Sequence, residues 1–169
     1  MIPADSRRPA AARACDPVRM RPSLFEYAGG APALARLVDA HHARCLADEQ
    51  LNHPFSHPDG NPQHLQRLAA YWGEVLGGPP TYSRSYGDQA LVMSMHSGNG
   101  DMTDLGRRFV DCFVAAADDA GLPDDPDFRA ALRSYMEWAV GVVVAFSPDE
   151  PATAGPQPMP HWSWDGLQA

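Results

Sequence analysis

Two long apolar stripes of helical period, joined by five residues, restrict this chain more than any other feature. The first runs Met102, Leu105, Phe109, Phe113, Ala116 and Ala120; the second runs Phe128, Ala131, Leu132, Tyr135, Ala139, Val142 and Phe146. Residues three and four apart share one helix face, so each stripe predicts a long amphipathic helix. Asp101 is placed to cap the first, Gly121 follows its end, and Asp125-Pro126 opens the second. The connection 121–125 is short enough to make the two helices antiparallel neighbours.

The rest of the middle of the chain also reads as helix. Ser23 and Glu26 have capping-box spacing, and Gly29-Gly30 closes the short helix they open. A helix starting near Pro32 carries the stripe Leu34, Leu37, Val38, His41, His42 and Cys45. Asn61 and Pro62 open another, with Leu65, Leu68, Ala69, Trp72, Val75 and Leu76 on one side, and Gly77-Gly78-Pro79 stops it. A short helix over 89–96 follows. No strand pattern and no repeat is visible, so the expected class is all-α.

Nine of the 17 prolines lie in residues 1–22 and 148–169. These two segments are therefore expected to be irregular, leaving 23–147 as the folded domain. The exception is 161–166, HWSWDG, where Trp162 and Trp164 are costly to leave in water. That part of the tail is expected to dock on the body; a partner-binding tail is the alternative. The net charge of −8 comes without a basic stripe, which argues against a nucleic-acid partner. No apolar run nears the roughly 20 residues that span a bilayer. The N-terminal stretch has arginines and alanines but no apolar core of a secretory signal. Three widely spaced cysteines, Cys15, Cys45 and Cys112, fit a reducing, cytoplasmic setting, with Cys45 and Cys112 as plain core residues.

The histidines are clustered. Five of the seven, His41, His42, His53, His57 and His64, fall between residues 41 and 64. Any one of them reads most simply as a surface or hydrogen-bonded side chain. Together they predict polar work in one pocket, because a buried imidazole without a partner costs about 1–3 kcal/mol. His96 stands apart, at the end of a helix of about two turns that is marginal alone. Val92, Met93 and Met95 give that helix soft apolar surface suited to a flat, irregular partner. Gly98, Asn99 and Gly100 let the chain turn away behind it. A histidine so placed suits an axial metal ligand, and haem iron is often held by one such proximal residue.

With these pieces in view, residues 23–147 resemble the truncated haemoglobins, most closely their group II. The carrying segments are LFEYAGG, ADEQLNHPF, LGGPPTYS and MSMHSGNG; GGPPTYS followed by His96 matches the family's run before its proximal histidine, with one extra proline. The resemblance implies a shortened globin, two helices over two around haem b, with His96 as the proximal iron ligand. It puts His42 where the family usually has tyrosine. It puts Phe55 on the aromatic site in the loop after the second helix, and His64 and Leu68 on the distal helix, one turn apart. Phe109 replaces the tryptophan typical of group II. Met93 and Met95 stand where arginines usually meet the propionates, leaving Arg84 and Tyr82 as candidates for that task by position. His64 or His42 would donate a hydrogen bond to a ligand, or bind the iron directly when none is present.

The implied function is binding of O₂ or another diatomic gas, as carrier, sensor or redox partner of a reductase, by a monomer or homodimer. A dedicated haem enzyme is the alternative: an NO dioxygenase, a peroxidase-like enzyme or one oxidising an organic substrate. No catalytic residue is assigned. Two further readings compete. One is a non-haem metal protein using His41, His42, Cys45, His53 or His57, and the other is a helical interaction module without a cofactor.

Overall fold

A computed structural model describes residues 21–52, 63–146 and 156–168. Cys15, His53, Phe55, His57, Asn61 and Pro62 therefore lie outside the described residues. Within them the helices are α1 (Leu24–Ala28), α2 (Gly30–Ala47), α3 (His64–Val75), α4 (Thr81–Ser85), α5 (Gln89–His96), α6 (Thr103–Asp119) and α7 (Pro126–Phe146). Helix α2 packs against both α3 and α6, and α6 packs against α7. This is the two-over-two helical arrangement of a truncated globin.

Local chemistry sets the helix ends. The Ser23 hydroxyl accepts from the Glu26 amide, and the Glu26 carboxylate accepts from the Ser23 amide at 2.9 Å. Gly29 then stops α1 at φ 106°, a left-handed conformation that favours glycine, and α2 starts at once, two residues before Pro32. Asp101 accepts from the amide of Thr103, and Asp125 from that of Phe128, each at 2.9 Å. After α3 the backbone passes so close to Phe25 that a Cβ on Gly78 would lie 2.8 Å from that ring. Gly106 likewise lets α6 approach α7, since a Cβ there would meet Val140 at 2.6 Å.

The core gathers Leu24, Leu34, Leu37, Trp72, Phe113, Phe128, Leu132, Tyr135 and Met136. Each large apolar side chain taken out of water contributes about 1.5–3 kcal/mol before entropy is subtracted. Trp72 and Phe113 meet edge to face with centroids 5.0 Å apart. Cys45 is buried as expected, whereas Cys112 is only half-buried.

The tail docks, and it does so as a hairpin that the sequence pattern did not reveal. Strands β1 (Trp162–Ser163) and β2 (Gly166–Leu167) pair antiparallel, two residues each, too short for alternation to be legible. Trp162 packs on Tyr135 and Trp138. Trp164 lies edge-on to Tyr27, donates its indole N–H to the Pro22 carbonyl at 2.7 Å, and carries the Arg21 guanidinium 3.5 Å above its ring. Helix α4 was also not anticipated; the Glu74 carboxylate holds it by accepting from the Ser83 amide.

Candidate functional site

His96 closes α5 and shows how its ring is committed. Its Nδ1 lies 2.8 Å from the Val92 carbonyl oxygen, four residues back. A carbonyl can only accept, so Nδ1 carries the proton and donates. Nε2 is then the basic nitrogen, and it makes no hydrogen bond among the described residues. A hydrogen bond of this kind is how proteins fix the tautomer and orientation of a metal-binding imidazole. The helix itself starts where the Asp88 side chain accepts from the Leu91 amide. It ends where Ser97 turns extended and Gly98 and Gly100 adopt φ of 74° and 76°. Met93 faces the core, while Met95 is 55 % exposed and Leu91 38 %. Val92 is half-buried.

The clustered histidines divide into two kinds. The sequence stripe treats His41 and His42 alike, but only His41 is fully buried; His42 is half-buried. The phase set by Leu34, Leu37 and Val38 runs on to His41 and Cys45, and His42 falls about 100° round the helix from His41. His41 sits edge-on to Phe109 at 4.3 Å and to Trp72 at 5.4 Å, with Nε2 3.4 Å from the Phe109 carbonyl. Burial lowers its pKa to about 4, the carbonyl opposing this and His42 adding to it. It is a neutral core residue.

His42 instead faces His64 across the α2–α3 junction, ring centroids 6.3 Å apart. His64 opens α3 at its exposed first turn. Partial burial lowers its pKa, helped by the neighbouring charges of His42, Arg67 and His96. Three imidazoles from α2, α3 and α5 thus stand within electrostatic reach of one place. Leu68, one turn beyond His64, is half-buried against the core. Phe109 is half-buried over His41. Tyr82 is buried, edge-on to Tyr71 at 5.2 Å, and Arg84 is exposed at the end of α4. Among the described residues, no group of three or more His, Cys, Asp or Glu side chains is arranged to hold a metal ion by itself.

Sequence reasoning missed the bond from the Tyr71 hydroxyl to Gln89 Oε1, 2.7 Å long, which ties α3 to the first residue of α5. Nothing in the periodicity of either segment signals it.

Comparison with known proteins agrees with this fold. No curated protein matches the chain significantly in sequence. The group II truncated haemoglobin of Bacillus anthracis is 20 % identical, with a TM-score of 0.65 over 80 % of this chain and 100 % of that one. A thermostable haemoglobin from Thermobifida fusca is 26 % identical, with a TM-score of 0.60 over 72 % and 96 %. The haemoglobin of Chloroflexus aurantiacus is 24 % identical, with a TM-score of 0.63 over 73 % and 98 %. No helix among the described residues is long and apolar enough to cross a membrane. The bacterial-like globin model matches residues 23–140, and the chain belongs to that family of haem-binding proteins.

Proposed function

We propose that this globin holds haem b through His96 Nε2 and binds O₂ or another diatomic ligand on the side where His42 and His64 stand. The observation that carries the reading is the bond from His96 Nδ1 to the Val92 carbonyl, which leaves Nε2 as the coordinating atom. The exposed apolar surface of Leu91, Met95 and Phe146 fits the same group, because a haem face needs apolar cover. When bound, the haem supplies an iron centre for reversible gas binding and electron exchange with a reductase.

The chain's own residues would do the rest. His96 sets the distance and angle of the iron's protein ligand. His64, held towards its neutral form, has one ring N–H to donate to a ligand, and His42 stands beside it. One net hydrogen bond of this kind contributes about 0.5–1.5 kcal/mol. Leu68 and Phe109 limit water on that side, and Phe55 is proposed to complete it. Arg84, exposed in the last turn of α4, is the candidate for a propionate. Tyr82 lies in the core, where a propionate would meet little water.

The test is the absorption spectrum of the purified protein in ferric, ferrous and CO-bound forms, beside His96→Ala. The parent is expected to show a haem spectrum. The variant is expected to lose haem or to keep it only with added imidazole. Full haem retention with an unchanged ferrous–CO spectrum in His96→Ala would overturn the assignment.

A further inference from the structure

The helix that carries His96 has only eight residues, Gln89–His96, and a helix of that length does not hold its own shape in water. What anchors it therefore decides where His96 points. Its middle is anchored by Met93, the buried side chain of the helix. Its C-terminal end runs into an extended Ser97 and two glycines of positive φ, where the chain turns away. Its N-terminal end is held by a specific polar contact from another element: the Tyr71 hydroxyl of α3 donates to Gln89 Oε1 at 2.7 Å. Tyr71 is itself fixed, only 9 % exposed, with its ring edge-on to Tyr82 at 5.2 Å. Burial raises the pKa of the phenol, so its proton stays on oxygen and the donor is permanent. A second tie from α3 lies just upstream, where the Arg67 guanidinium sits over the Tyr86 ring.

We propose that Tyr71 and Gln89 are positioning residues for the iron: their hydrogen bond fixes the rotation of α5 and so the angle at which His96 Nε2 presents itself. Gln89 and His96 are seven residues apart, roughly 10 Å along a helix axis. With Met93 as the pivot in its middle, a turn of the helix about that axis at Gln89 is carried to the imidazole at the other end. The bond ties the helix of His96 to α3, the same helix that carries His64. The inference rests on the reading of His96 as the iron ligand.

The test uses the haem-loaded protein and four substitutions. Tyr71→Phe and Gln89→Leu each remove the hydrogen bond at nearly constant shape; Gln89→Glu keeps an acceptor. The readout is the iron–histidine stretching band in resonance Raman spectra recorded just after photolysis of bound carbon monoxide, together with the rate of haem transfer to an apomyoglobin acceptor. Tyr71→Phe and Gln89→Leu are each expected to shift or broaden the band and to speed haem release about 2- to 13-fold, the factor for one net hydrogen bond. The double variant should do no more than either alone, and Gln89→Glu should restore both readouts. If both single variants keep the parent band and release rate, the proposal is wrong, even where they lower the melting temperature. Since Gln89 is half-buried at a helix start, Gln89→Leu remains informative should Tyr71→Phe fold poorly. His96→Gly separates the two layers of the argument: an iron–histidine band surviving there without added imidazole would refute the ligand assignment itself.

Discussion

The two halves of α7 carry the same apolar pattern and meet different fates. In the first half Phe128, Ala131, Leu132, Tyr135 and Met136 are buried, and the docked hairpin lays Trp164 on Phe128 and Trp162 on Tyr135. In the second half Val140, Val142, Val143 and Val144 are only half-buried and Phe146 is 36 % exposed. Helix α5 packs on this helix too, with Met95 and Leu91 exposed on it. Among the described residues this stripe outruns its protein neighbours, and an apolar face of that kind suits the haem proposed above.

The largest test of this contrast is Trp162→Ala. Trp162 is 7 % exposed and fills the space between Tyr135 and Trp138. Its loss is expected to cost about 3–5 kcal/mol in denaturant unfolding, by the same amount with and without haem. A loss confined to the haem-loaded form would show that the hairpin supports the haem end, and the division drawn above would fail.

The next effect is on pH. His41 has a folded pKa of about 4 against 6.5 in the unfolded chain. Below pH 6.5 the unfolded chain takes up a proton that the folded one refuses, so stability falls as pH falls and stops falling near pH 4. The full span is roughly 3 kcal/mol. His41→Phe should flatten the stability profile between those limits. A parallel profile in the variant would mean that His41 does not titrate as a core residue.

Smaller still is Tyr135→Phe. The Tyr135 hydroxyl is fully buried, with no hydrogen-bond partner among the described residues, beside Trp162, whose indole N–H also lacks one. Removing an unsatisfied hydroxyl is expected to stabilise the protein by about 1 kcal/mol. Destabilisation would reveal a bound water shared by the two groups.

Helical periodicity made the closed half readable. The stripes of α6 and α7, the capping box at Ser23 and the turn at Asp125 are local signals, and the structure follows them. Resemblance, rather than periodicity, brought His42, His64 and His96 into one argument, since three positions on three helices have no shared spacing. The rest was illegible for definite reasons. His41 differs from His42 only in helical phase, which a histidine-rich stripe blurs. The hairpin strands are two residues long. The Tyr71–Gln89 bond links positions 18 residues apart through side chains of ordinary type. Loss of apolar cover at the end of α7 depends on what packs there, and sequence periodicity records only which face is apolar.

The smallest expected effect is the most discriminating. Met95 is 55 % exposed and adjoins His96 in sequence. Met95→Ser removes apolar surface that the polypeptide leaves in water, so in the haem-free protein it should change stability by no more than about 0.5 kcal/mol. In the haem-loaded protein the same side chain is expected to lie under the cofactor's edge. There its loss should lower the melting temperature and speed haem transfer to an apomyoglobin acceptor, because a ligand stabilises the folded state in proportion to its affinity. Phe146→Ser, at the far end of α7, should behave the same way, whereas Leu167→Ser, 48 % exposed on the hairpin, should be neutral in both forms. Equal effects of Met95→Ser with and without haem, or a Leu167→Ser effect that depends on haem, would erase the distinction between the end closed by protein and the end left for the cofactor.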